Sequence, residues 1–219
     1  MTYFDPVLSN LGLFGNALLR TLEIVLYGAL GSLVLGTIIA GFRVSPIPPL
    51  RAVGTAWVTL FRNCPLTIVL FFCAFALPEI GINASFFWFG ILGLVLYTSA
   101  FVCEAVRSGI NSVSAGQAEA ARAVGLTFTQ SLGNVVLPQA LRTVVPPLGS
   151  VIIAMIKNSA IVGAFGVGGD LFSVYQTLVA ARGLPVVPVL LGMAAGYLLI
   201  TIPAGIGLGV LERKVAVAR

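Results

Sequence analysis

Five long apolar stretches, at about residues 17–42, 54–77, 85–106, 143–166 and 186–211, alternate with short polar connections along this chain. Each is at least as long as the ~18 apolar residues that mark a membrane-crossing helix. Their unequal, generous lengths leave room for tilt and kinks. The pattern predicts an all-α integral membrane protein of five transmembrane helices, one domain over residues 1–219. An odd number of spans puts the two termini on opposite sides.

One polar connection differs from the others. Residues 114–138 read SAGQAEAARAVGLTFTQSLGNVVLP. Ser114 and Gln117 have the S-x-x-Q spacing of a capping box, which satisfies free amides at a helix start. Ala118, Glu119, Ala120, Ala121 and Ala123 continue as adequate or good helix formers. Gly125 can adopt the left-handed conformation that ends a helix. Thr127 and Gln130 repeat the box, so a second helix starts at once. Pro138 disfavours helical geometry at Leu137 and separates the next span. The expectation is helix, tight break, helix, with a small-residue face suited to a groove on a soluble partner.

Composition agrees with a membrane protein: 58% of residues are hydrophobic, 9% are charged, and mean hydropathy is +1.07. Charge placement gives the orientation. Arg43 and Arg51 flank the first short loop, Arg107, Arg122 and Arg142 fall in the third connection, and Arg213, Lys214 and Arg219 lie in the tail. The alternate loops carry Glu79 and Asp170 with Arg182 as their only basic residue, and Asp5 precedes the first span. Basic residues collect on the cytoplasmic side, so the N-terminus is outside, the C-terminus inside, and 114–138 cytoplasmic. The net charge of +5 is then a topology signal. The clustered lysines and interleaved aromatics of a nucleic-acid surface are missing, and the lack of a positive n-region, with Asp5 where one would be, argues against a cleaved signal peptide.

Little in the chain suggests chemistry of its own. It has no histidine, the commonest proton shuttle and metal ligand, and no paired carboxylates or nucleophile–base arrangement. Cys64, Cys73 and Cys103 lie inside apolar stretches, where cysteine packs as a small hydrophobe. Gly166 to Asp170 lacks the lysine and hydroxyl of a phosphate-binding loop. Gly192-x-x-x-Gly196 and Gly205-x-x-x-Gly209 suit close helix approach. No cofactor or metal site is expected in this chain, and energy must enter from elsewhere, through 114–138.

Ionisable residues inside spans are costly, at least ~2.5–3.5 kcal/mol each, and are kept where they face a cavity or a partner. By helical rise, Arg62 lies ~16 Å along the second span from Arg51, and Lys157 ~22 Å from Arg142 in the fourth. Two cations at depth suit the carboxylates of an amino acid. Glu104, near the inner end of the third span, suits a substrate ammonium or neutralises a cation. Asn63, Thr67, Asn158 and Ser159 supply neutral hydrogen bonds, or else tie helices together. Lys157 snorkelling or pairing across a subunit contact, and Arg62 capping a broken helix beside Asn63 and Pro65, are the structural alternatives. Arg20 and Glu23 read as a local i,i+3 pair.

Glu119-Ala120-Ala121, three residues, Gly125, nine residues and Val135-x-Leu137-Pro138 together resemble the EAA loop of bacterial ABC importer permeases. Phe61–Leu66, Glu104–Ile110, Gly116-Gln117 and Lys157–Ser159 resemble the polar amino acid branch of that family, glutamate-type permeases of actinobacteria above all. The likeness covers about residues 10–213. It implies a type I importer permease fold with a cytoplasmic coupling helix, set in a bacterial plasma membrane. It implies a second permease subunit, identical or different, and two ATPase subunits that bind ATP and magnesium. An extracytoplasmic amino acid-binding protein would deliver the substrate, and membrane lipid surrounds the spans. Gln117, Glu119, Ala120, Ala121, Gly125, Leu137 and Pro138 take the coupling role; glutamate is the implied cargo, with glutamine or aspartate open. From the residues alone, a secondary transporter or channel component needing no ATPase also remains, as does a non-transporting scaffold.

Overall fold

The computed structural model describes residues 3–215, and these fold as helices and short connections with no strand among them. A short α1 (Asp5–Leu8) precedes α2 (Leu11–Val44), whose 34 residues exceed the ~20 needed to cross the hydrocarbon core. Next comes α3 (Pro48–Asn63), which opens on two prolines. Their missing N–H groups matter least in a first helical turn.

The expected span over 54–77 is broken rather than continuous. Cys64 is extended (φ −92°, ψ 133°) ahead of Pro65, as the steric clash with a proline ring requires. The chain leaves as α4 (Leu66–Glu79) at 106° to α3. Among the described residues, four helices are long and apolar enough to span a membrane, or five if the bent α3–α4 pair is one span. α3 itself buries only Gly54 and Val58, so it lies against the bundle by one stripe.

The centre is α5 (Phe86–Ser112), with α2 and α7 (Thr129–Val167) packed along it. Along the chain, α6 (Ala115–Ala123) stands between α5 and α7. The chain then forms α8 (Leu171–Ala181) and α9 (Val186–Val215). One core joins Ile24, Leu70, Leu94, Met155 and Val162; a second joins Phe14, Ile156, Leu171, Leu178 and Met193. Of the two spaced glycine pairs, Gly192 and Gly196 bear out close packing: a Cβ there would lie 2.9 Å from Phe14 Cζ and 2.8 Å from Leu171 Cδ2. Gly205 and Gly209 have no such neighbour within the chain. The Arg20–Glu23 pair forms, with Arg20 over the Phe87 ring.

Pro138 does not separate a span, contrary to the expectation from sequence. The helix runs through it and through Leu137 from Thr129 to Val167. A π turn at Leu132–Val136 immediately precedes Leu137-Pro138. Widening the helix by one residue relieves the clash between a proline ring and the carbonyl four residues back. The same device recurs at Phe72–Ala76 before Leu77-Pro78.

Candidate substrate path and coupling surface

The platform at 114–138 is built mostly as its residues dictate. Gly125 sits at φ +89°, its N–H donates to the Arg122 carbonyl at 2.9 Å, and the Leu126 N–H donates to the Ala121 carbonyl at 3.1 Å. That crossed pair is a Schellman motif, which needs a residue at home in left-handed backbone. The second capping box forms in both directions: the Thr127 N–H donates to Gln130 Oε1 at 2.9 Å, and the Gln130 N–H to Thr127 Oγ1 at 3.3 Å. The first box does not form. Ser114 caps α6 by backbone geometry only, with no side-chain bond, and Gln117 meets it through a main-chain bond of 3.0 Å.

The platform's outward face also differs from the expected one. Ala121 is buried against the rest of the chain, so it is a packing residue. Gln117, Glu119 and Ala120 are exposed, and Val124 presents 79% of its surface. An apolar side chain so exposed, one position before the glycine stop, went unread in the sequence. Its only signal was its place at the end of an alanine helix. Leu137 and Pro138 are exposed on α7.

Two cavities lie along α5 and share one wall. The first, about 410 Å³, is lined by Arg43, Thr55, Thr59, Arg62, Asn63, Phe101 and Glu104. Glu104 is its hub. Arg43 Nη1 donates to Glu104 Oε1 at 2.6 Å, Arg107 Nη2 donates to Oε2 at 2.8 Å, and Arg107 Nε reaches Oε1 at 3.3 Å. Arg62 Nη1 stands 3.7 Å from Oε2, an ion pair beyond hydrogen-bond length. Three guanidiniums face one carboxylate, leaving a local excess of positive charge. Arg62 is the loosely held member: its side chain is 46% exposed, and its guanidinium lies 5.6 Å from the centre of the Phe101 ring.

The second cavity, about 240 Å³, lies between α5 and α7 and is lined by Tyr97, Thr98, Phe101, Ser150, Ala154, Met155 and Asn158. No formal charge lines it. Phe101 forms part of both cavities.

Of the expected path residues, Arg62, Asn63 and Glu104 come together in the first cavity and Asn158 lines the second. Glu104 is taken by arginines, so it neutralises cations rather than waiting for an ammonium. Asn63 Nδ2 donates to the Thr59 carbonyl at 2.7 Å. Thr67 lies beyond the break on α4 and lines neither cavity. Ser159 is buried and donates to the Ile156 carbonyl at 2.7 Å, tying its own helix. Lys157 is exposed on α7 and lines neither cavity.

Sequence reading missed Arg43 and Arg107, which look like topology charges and serve the hub. Glu104 and Arg107 at i,i+3 were the available clue. Thr55 and Thr59, one turn apart on the face that carries Arg62 and Asn63, were another. Phe101 and Thr98 carried none, since both sit within an apolar run.

Residues 32–217 match the family model described as the binding-protein-dependent transport system inner membrane component. The chain is 41% identical over 211 residues to the glutamate transport system permease protein GluC of Corynebacterium efficiens, covering 91% of this chain and 92% of that protein. It is likewise 41% identical over 206 residues, 94% of each chain, to the probable glutamine ABC transporter permease protein GlnM of Bacillus subtilis. Among solved structures, a chain of an amino acid ABC transporter crystallised with histidines superposes at TM-score 0.89 and 30% identity, over 98% of this chain and 99% of that one. The MetNI methionine ABC transporter, at TM-score 0.77 and 21% identity, shares the fold. By these matches, and by the helical bundle with its platform, this chain belongs to the binding-protein-dependent transport system inner membrane component family, as a type I permease subunit of an amino acid ABC importer and a translocation component rather than an enzyme.

Proposed function

We propose that the importer carries acidic amino acids, glutamate first, and that this subunit forms part of the path. One observation carries the reading: the excess of arginine around Glu104, with Arg62 only loosely engaged at 3.7 Å. A substrate carboxylate entering that cavity replaces a long ion pair with a short, charge-assisted bond to a planar guanidinium. Glu104 keeps Arg43 and Arg107 in place meanwhile. The name of the glutamate permease it resembles supports the same substrate class, and that of the glutamine permease supports an amino acid of the same length without the charge.

Energy enters through α6. Two ATPase subunits, which bind ATP and magnesium, dock on the exposed Gln117, Glu119, Ala120 and Val124 face of this chain and of a second permease subunit. Their closure draws the platforms together. Because Gly125 and the Thr127–Gln130 box join α6 stiffly to α7, the movement reaches the helices that wall both cavities and switches the side to which they open. An extracytoplasmic binding protein supplies the amino acid, and the platform faces the cytoplasm.

The test is ATPase activity and uptake by the reconstituted complex across glutamate, aspartate, glutamine, arginine and histidine. Stimulation strongest with glutamate or aspartate is expected, with Arg62→Gln lowering the acidic-to-neutral ratio. Equal or greater stimulation by a basic amino acid sinks the assignment.

A further inference from the structure

A third cavity, of about 130 Å³, opens between α6 and the first turns of α7, lined by Ala118, Arg122, Ser131, Leu132 and Val136. Ser131 is 4% exposed, and its Oγ has no hydrogen-bond partner. Buried polar groups are nearly always paired, and a helical serine or threonine has an easy solution in the carbonyl three or four residues back. Ser112 and Thr177 take it, donating to the Gly109 carbonyl at 2.7 Å and the Ser173 carbonyl at 3.0 Å. Ser131 instead keeps an unused donor on the cavity wall. Arg122, on the same wall, forms no ion pair among the described residues, although Glu119 stands three residues away on its own helix. A guanidinium and a hydroxyl, both unengaged donors, therefore meet one small space whose other walls are apolar.

We propose that this cleft binds a small oxyanion, a phosphate or carboxylate group, with the Arg122 guanidinium and the Ser131 hydroxyl as its donors. The guanidinium fork matches paired oxygens. Apolar walls strengthen such bonds by lowering the local dielectric, and the first turn of α7 adds the positive end of a helix dipole. At about 130 Å³, the space exceeds the ~30 Å³ share of one water and falls well below the roughly 300–1,000 Å³ of sites for drug-sized ligands. Arg122 is two residues from both Ala120 and Val124, about 200° round the helix, so the anion sits behind the exposed face of α6. There it bridges α6 to α7 across the Gly125 break: an occupied cleft braces the platform, and an empty one leaves it looser. The site depends neither on which amino acid the importer carries nor on where the ATPase docks.

Equilibrium dialysis of radiolabelled inorganic phosphate against the purified full-length permease in detergent tests this. Ionic strength is held constant, and the ATPase subunits, whose nucleotide sites take phosphate themselves, are left out. One saturable site per chain is expected, displaced by sulfate or acetate and not by chloride. Stronger displacement by acetate identifies a carboxylate ligand, and by sulfate a phosphate-like one. Ser131→Ala should weaken binding about fivefold and Arg122→Gln at least about tenfold, with Arg122→Lys recovering part of the loss. Because Ser131→Ala removes an unpaired buried hydroxyl, its unfolding temperature without phosphate should equal or exceed that of the wild type. Added phosphate should then raise the wild-type value more than the variant's. Arg122 is exposed, so Arg122→Gln decides the matter if the alanine variant is poorly produced. Absence of saturable binding, or equal displacement by chloride, overturns the site; so does wild-type affinity in Arg122→Gln, which puts the anion elsewhere. A permease that binds no phosphate but whose Arg122→Gln variant assembles weakly with the ATPase overturns it too, since the cleft then takes an acidic side chain of that subunit. None of these results touches the importer reading, which a reconstituted complex transporting no amino acid would reject on its own.

Discussion

Charge in this molecule is spent at few positions, and each is decided by its neighbours. Glu104 accepts from two arginines and faces a third, so its own negative charge makes an arginine-rich pocket tolerable. Asp170 shows the opposite economy. It caps α8, with Oδ2 accepting from the Phe172 N–H at 2.9 Å, but it is 1% exposed and Oδ1 has no partner. Burial raises its pKa above the usual carboxylate range; the Phe172 N–H and the charge of Arg20 oppose that rise in part. A raised value means the native state holds its proton more tightly than the unfolded chain does. The resulting stability is present below the unfolded pKa and is lost as pH climbs through the native one. Asp170→Asn keeps the cap acceptor without the charge. The unfolding temperature in detergent should therefore fall with rising pH in the wild type and stay flatter in the variant, by about 2–4 °C for each ~1 kcal/mol removed. Parallel curves for the two proteins would contradict this.

Elements here are defined as much by their interruptions as by their runs. The α3–α4 bend follows from Cys64-Pro65, while Leu77-Pro78 and Leu137-Pro138 are absorbed by π turns and leave the helix intact. Sequence reading sees a proline equally in all three places. The folded backbone separates them: Cys64 is extended before Pro65, while the residues before Leu77-Pro78 and Leu137-Pro138 stay helical in wide turns. At the platform, one glycine carries the geometry. Gly125→Val puts a β-branched residue at φ +89° with open space around it, so the cost is backbone strain of about 1–3 kcal/mol rather than a clash. The expected outcome is an inserted, assembled complex whose ATPase rate per amino acid imported rises several-fold. Wild-type stoichiometry in proteoliposomes would show that the break does not transmit the stroke.

At the scale of the whole molecule, the basic residues and the platform make one joint prediction. Val124, exposed at the end of α6, should be reached from the cytoplasm only. Val124→Cys, in a background with Cys64, Cys73 and Cys103 replaced, should react with a membrane-impermeant maleimide in inside-out vesicles and not in intact cells. Labelling of intact cells would reverse the topology and remove the docking surface. The arrangement of spans around α5 also explains why the cavities lie where they do. α5 presents Thr98, Phe101 and Glu104 in successive turns to α7 on one side and to α2 and α3 on the other, so one helix contributes to the walls of both cavities.

Hydrophobic length and charge asymmetry determined the class, the number of spans within the α3–α4 ambiguity, and the platform with its glycine stop, because these depend on transfer free energies and local backbone preferences carried by the residues themselves. The EAA spacing determined the family for the same local reason. Tertiary structure alone decided which charges meet. Arg43, Arg62, Glu104 and Arg107 come from three helices, and nothing in their order along the chain says that one carboxylate collects three guanidiniums. It also decided that Ala121 faces inward, that Lys157 lines neither cavity, and that the Thr98 hydroxyl is left without a partner beside a cavity between α5 and α7. Side-chain partnership across helices is a property of packing, and packing is not written in any single segment.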